Sequence, residues 1–70
     1  MKTILADRLC QLRKENQLRQ EDVAAALGIA TLTYQRYEYG QREPLASVLR
    51  ALADFFDVST DYLVGRTDEP

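Results

Sequence analysis

Apolar residues recur along this chain at helical spacing, in short segments closed by a glycine, a proline or a polar run. Leu5, Leu9 and Leu12 fall at i, i+4 and i+7, one face of a helix that Thr3 can cap and the polar run 14–17 ends. A second helix is predicted over Gln20–Leu27. Leu18 and Val23 stand at the spacing of a hydrophobic staple if Arg19 is the N-cap, and Glu21 and Asp22 put negative charge in the first turn. Gly28 follows the last apolar residue, as a helix-ending glycine should, whereas Arg19 lacks the short side-chain acceptor of a good N-cap. The third helix runs from Thr31 to Tyr39 and is closed by Gly40. Tyr34 and Tyr37, at i and i+3, turn inward with Ile29, so Thr31, Leu32, Gln35 and Arg36 project to the other side. Beyond Pro44, a fourth helix carries Leu49, Leu52, Ala53 and Phe56, and Ser59 begins a short fifth one through Asp61, Tyr62 and Leu63 to Gly65. Arg66–Pro70 is expected to be a polar, frayed tail.

The predicted class is therefore all-α, with five helices in one domain over residues 1–65 and no strand signal. The joint between the second and third helices is the informative one. Two helices of about eight residues, linked by a three-residue turn containing Gly28, make a helix-turn-helix over roughly residues 20–39. That unit presents the outer face of its later helix to a DNA major groove.

Composition narrows the functions further. Seventy residues suffice for one domain and leave no room for a separate small-molecule-binding domain; 46% hydrophobic and 29% charged is a globular balance. Cys10 is the sole cysteine and there is no histidine, which excludes a disulfide scaffold, the usual general base and nearly every transition-metal site. No nucleophile–base constellation or phosphate-cradling glycine loop is left, so neither an enzyme nor a cofactor is expected. Cys10 follows Leu9 off the apolar face and reads as an exposed thiol. No apolar run approaches the roughly 20 residues that span a bilayer, and Asp7 and Arg8 interrupt the N-terminal segment too early for a signal peptide. A cytoplasmic protein with no membrane partner is the expectation. The net charge of −2 is unevenly spread. Residues 1–42, Lys2 included, carry seven basic against five acidic side chains; residues 43–70 carry two against six.

Several blocks in order resemble one family. Leu12-Arg13, Gln20-Glu21-Asp22-Val23-Ala24, Leu27-Gly28-Ile29, Tyr37-Glu38-Tyr39-Gly40, Arg42-Glu43-Pro44, the run from Leu52 to Ser59, and Asp61-Tyr62-Leu63 are similar to the phage Cro/repressor-type helix-turn-helix regulators, also called xenobiotic-response-element-type. The match runs in register over about residues 5–65. The resemblance implies a compact, lambda-repressor-like five-helix domain, bacterial or phage-encoded, that acts as a homodimer on a near-palindromic stretch of double-stranded DNA. It also implies roles for individual residues. Gln20 matches a glutamine that docks on a phosphate and buttresses the recognition helix. Thr31, Leu32, Gln35 and Arg36 match base-facing positions, with Thr33 and Tyr39 flanking them near phosphates. Arg13 and Glu38 match a largely buried ion pair between the first helix and the end of the third. Arg19 and Ala30 replace the family's usual Ser or Thr caps, Leu32 replaces a polar groove-facing residue, and Gln41-Arg42-Glu43 is less basic than usual. These departures imply weaker phosphate anchoring on the same fold.

The side-chain chemistry agrees. Arg36 can donate twice to guanine, Gln35 can pair with adenine, and Thr31 and Leu32 can meet a thymine methyl. Arg8, Lys14, Arg19 and Arg42, with Arg13, are the candidate phosphate neutralisers. Val58, Tyr62, Leu63 and Val64 offer more apolar surface than one short helix should leave wet, and part of it is expected to be a dimer contact. A protein-interaction module on the same fold, antitoxin-like or an anti-repressor partner, is the alternative, favoured by the negative net charge and by Leu32.

Overall fold

Thr3 opens the chain's first helix: its hydroxyl accepts the Ala6 N–H at 3.1 Å and takes up one of the donors that every helix start leaves unpaired. The computed structural model describes residues 3–70; Lys2, counted above among the basic side chains, lies outside them. Five helices follow in order: α1 (Ile4–Glu15), α2 (Gln20–Leu27), α3 (Thr31–Glu38), α4 (Ala46–Phe56) and α5 (Thr60–Val64). They form where the apolar spacing predicts them. Arg19 does stand at the N-cap of α2 and caps no first-turn N–H with its side chain; Asp22 supplies the reciprocal half of a capping box, taking the Arg19 backbone N–H at 2.8 Å. Ser59 caps α5 through the Tyr62 N–H at 3.0 Å.

Every helix ends in the same way. A residue with positive φ turns the chain, and the next N–H reaches back to the carbonyl five residues earlier: Leu18 to Arg13, Ile29 to Ala24, Gln41 to Arg36, Val58 to Ala53 and Arg66 to Asp61. Glycine holds the turning position at 28, 40 and 65, while Gln17 and Asp57 hold it at φ of 57° and 56°. The turn at Gly28 sets the joint between α2 and α3.

Leu9 and Leu12 from α1, Val23 and Ala24 from α2, Tyr34 and Tyr37 from α3, Leu52, Ala53 and Phe56 from α4, and Leu63 from α5 make one core. Within it α3 packs on α1 and α2, and α5 on α1 and α4. The last two stretches of the chain depart from expectation. Leu63 is fully buried in this core and cannot serve as a dimer contact, because a five-residue helix must turn its one long apolar side chain inward to be held at all. The tail is not frayed. Arg8 donates to the Tyr62 and Thr67 carbonyls (the latter at 2.7 Å) and to Asp68 at 2.8 Å, and its guanidinium lies 4.1 Å from the centre of the Tyr62 ring. The Ser59 N–H reaches the Pro70 carbonyl at 2.9 Å. Arg8 is thus engaged away from α3 and is not a phosphate neutraliser. Among the described residues no helix is long and apolar enough to cross a membrane.

Candidate nucleic-acid interface

The turn at Gly28 leaves α3 resting on α2 through Tyr34 and Tyr37, both buried, so the opposite side of α3 faces out. Thr31 and Arg36 are exposed, Leu32 is 55% exposed, and Gln35 and Thr33 are half-buried. Tyr39, at the end of the helix, is 49% exposed. Thr31 and Gln35 share a shallow cleft with Arg19, Gln20 and Glu21. An adjoining cleft brings Lys14, Arg19, Gln20 and Tyr39 together from three different elements. Arg42 stands exposed in the loop that follows and lines neither of these two clefts.

Beneath this surface lies the ion pair. Arg13 clamps Glu38 with Nε at 2.6 Å from one carboxylate oxygen and Nη2 at 3.0 Å from the other, and its Nη1 donates to the Leu18 carbonyl at 3.0 Å. Glu38 is only 1% exposed. Burial alone would push its carboxyl up, but Arg13, the neighbouring Tyr34 hydroxyl and Gln20 outweigh it and hold the carboxyl below its ordinary value. The same pairing raises Arg13 further above the range where it could lose its proton. Burial raises the Tyr34 hydroxyl, which meets no partner in good hydrogen-bond geometry among the described residues.

Gln20 joins the pair to the surface. Its Nε2 lies 3.2 Å from Glu38 and 3.5 Å from the Tyr39 hydroxyl, and its Oε1 accepts from Gln35 at 3.1 Å. The resemblance implies that Gln20 buttresses the recognition helix; its partners Gln35 and Glu38 lie 15 and 18 residues away, reached through rotamers that no periodicity encodes. Arg19 is drawn to its own helix, with Glu21 at 3.0 Å and Asp22 at 3.2 Å, which lessens the positive charge it presents. Arg36, Arg42 and Lys14 make no salt bridge among the described residues. Cys10 is half-buried in the Lys14 cleft rather than exposed, with Arg13 Nη2 3.9 Å from its sulfur.

Of the residues expected at a dimer contact, Val58 and Tyr62 are half-buried against the core and Val64 is 42% exposed. Val64 lines an apolar groove with Ile4, Leu5, Pro44 and Leu49, next to Leu45, which is 72% exposed.

The architecture has close counterparts. The P22 c2 repressor protein, solved in complex with a synthetic operator, superposes with a TM-score of 0.84 at 25% identity, over 91% of this chain and 96% of that one. Two HTH-type transcriptional regulators of Bacillus subtilis strain 168 are similar in sequence. YobD is 44% identical over 63 residues, 90% of this chain and 56% of its own. AnsR is 47% identical over 60 residues, 86% of this chain and 52% of its own. The chain thus spans about half the length of these curated relatives. A family model for the helix-turn-helix matches residues 11–63, taking in the core, the turn at Gly28 and the outward face of α3, and the chain belongs to that family.

Proposed function

We propose that this chain is the DNA-reading domain of a cytoplasmic transcriptional repressor that binds double-stranded DNA as a homodimer on a near-palindromic operator. One observation carries this: α3 turns Thr31, Leu32, Gln35 and Arg36 outward on a helix fixed from behind by Tyr34, Tyr37 and the Arg13–Glu38 pair. Arg36 donates to guanine and Gln35 pairs with adenine, while Thr31 and Leu32 meet thymine methyls. Lys14 and Arg42 neutralise phosphates, helped by the hydroxyls of Thr33 and Tyr39; Arg19 contributes less, being drawn to Glu21 and Asp22. The repressor assignment is supported by similarity to the P22 c2 repressor, whose structure contains an operator. Two copies would set their α3 helices in successive major grooves about 34–36 Å apart. The exposed apolar side chains of Val64, Leu45 and Ile4 support self-association on that side of the molecule.

Selection of bound duplexes from a random pool tests this, with Arg36→Ala as control. A two-fold-symmetric motif is expected, with preference at one position per half-site lost in Arg36→Ala. Failure to enrich any sequence at low salt refutes it. A partner-binding module is the second reading, favoured by Leu32, an apolar side chain 55% exposed in the first turn of α3. It predicts binding that is insensitive to salt, where DNA binding falls steeply.

A further inference from the structure

Cys10 has no part in the contacts proposed for DNA, yet its sulfur sits among donors that a plain thiol does not use. It is half-buried and opens on the cleft that Lys14, Gln20 and Tyr39 share. Arg13 Nη2 stands 3.9 Å from Sγ while also donating to Glu38 at 3.0 Å. Behind them the Tyr34 hydroxyl is wholly buried and meets no partner in good hydrogen-bond geometry among the described residues; the groups it faces are Glu38, Arg13 and Cys10. An unpaired buried hydroxyl is destabilising, and phenylalanine would fill the same space without it. Two donors, one of them unused, thus converge on a sulfur that as a thiol accepts hydrogen bonds only weakly. The acceptor they suit is an oxygen carried on that sulfur.

We propose that Cys10 is an oxidation site for peroxides, forming a sulfenic acid that Tyr34 and Arg13 stabilise and that lowers affinity for DNA. The effect on DNA rests on α3 being the base-contacting helix. In the step, the Cys10 thiolate attacks one peroxide oxygen, and the S–O bond forms as the O–O bond breaks. Sulfur loses two electrons, the peroxide gains them, and the departing hydroxide takes up the proton released by the thiol and leaves as water. The new oxygen accepts from the Tyr34 O–H and from Arg13 Nη2, which gives up its bond to Glu38. The clamp behind α3 is thereby reduced to the Nε contact. Two equivalents of a small thiol reverse the change: the first displaces the oxygen as water and forms a mixed disulfide, and the second releases the Cys10 thiol.

The test treats the unaltered chain, Cys10→Ser and Tyr34→Phe with hydrogen peroxide at neutral pH. A dione that reacts only with sulfenic acids traps the product for mass spectrometry, fluorescence anisotropy gives affinity for a selected duplex, and circular dichroism checks folding. The unaltered chain should carry the dione at Cys10 and, untrapped, lose roughly tenfold in affinity, the equivalent of one charge-assisted bond, with recovery on adding dithiothreitol. Cys10→Ser should bind equally before and after treatment. Tyr34→Phe should stay folded and accumulate several-fold less sulfenic acid, the unprotected sulfur passing on to sulfinic acid. No adduct at Cys10 in the folded chain, or equal accumulation in Tyr34→Phe, overturns the site. An adduct with affinity unchanged overturns its coupling to α3. If the untreated chain binds no duplex, the DNA-reading assignment fails, and the dione result alone decides whether Cys10 is a sulfenic-acid site.

Discussion

Removing the Arg13 guanidinium should leave the Glu38 carboxylate buried and unpaired, a worse outcome than removing both groups. Arg13→Met keeps the length of the side chain while deleting two charge-assisted bonds, at 2.6 and 3.0 Å, to a residue only 1% exposed. Breaking such a pair from one side costs about 3–5 kcal/mol. A 70-residue domain has on the order of 4–10 kcal/mol to lose, so the variant should be close to unfolding at neutral pH. Replacing both partners, Arg13→Met with Glu38→Leu, should recover most of the stability. A deficit of about 1 kcal/mol should remain, because the Leu18 carbonyl and the Gln20 amide each lose a partner.

The pH dependence carries a sign that distinguishes this account from simple loss of packing. In the unaltered chain the folded-state Glu38 carboxyl lies below its unfolded value of about 4.3. Its contribution is therefore complete above that value and is lost as pH falls through the folded one. In Arg13→Met, burial is no longer outweighed by Arg13, the folded carboxyl moves above its unfolded value, and acidification relieves the variant. Urea unfolding followed by circular dichroism at pH 7 and pH 4 should show the gap between the two proteins narrowing at pH 4. A loss below about 1 kcal/mol at pH 7, or a gap of equal size at both pH values, would refute the reasoning.

Lys14→Ala and Arg42→Ala should each weaken binding to all duplexes alike and reduce the salt slope by about 1, as anisotropy titrations between low and moderate salt would show. Loss of preference at a single base position would instead make either one a base reader. Gly28→Ala should cost about 1 kcal/mol from φ alone, since an added Cβ there meets nothing within 4 Å. Gly65→Ala should cost more, about 2 kcal/mol, because its Cβ would lie 2.8 Å from Ile4 Cδ1; urea melts that reverse this order contradict the packing described. Gln17→Gly should raise stability by about 0.5 kcal/mol and Tm by a few degrees, relief of positive-φ strain exceeding the added freedom of the unfolded chain. A lower Tm would show that Gln17 is held by more than its backbone.

Local features were legible from the residues. The bounds of α2, the Thr3 and Ser59 caps, the inward Tyr34 and Tyr37, and the glycine turns at 28, 40 and 65 each follow from groups within a few positions of one another. The turns at Gln17 and Asp57 were not: glutamine gives no sign of a positive φ, and aspartate, which tolerates one, marks helix caps and ordinary turns as readily. Leu63 was misassigned because five residues give too little periodicity to separate core from surface. Arg8 did carry a signal: it lies at i+3 from Leu5 and i−4 from Leu12, on the packed side of α1, although its carbonyl partners are 54 and 59 residues away. The outward face of α3 was foreseen as a set of residues, while the amide relay from Glu38 through Gln20 to Gln35 emerged only with the side chains in place.

Amide NMR shifts of the isotopically labelled chain, titrated with a duplex recovered from the selection, test the central claim most directly. Perturbations should centre on Thr31–Tyr39, on Gln20 at the start of α2, and on Lys14 and Arg42, leaving the tail clasped by Arg8 unmoved. Shifts confined to α4, α5 and the groove between Ile4 and Val64, with α3 silent, would contradict it.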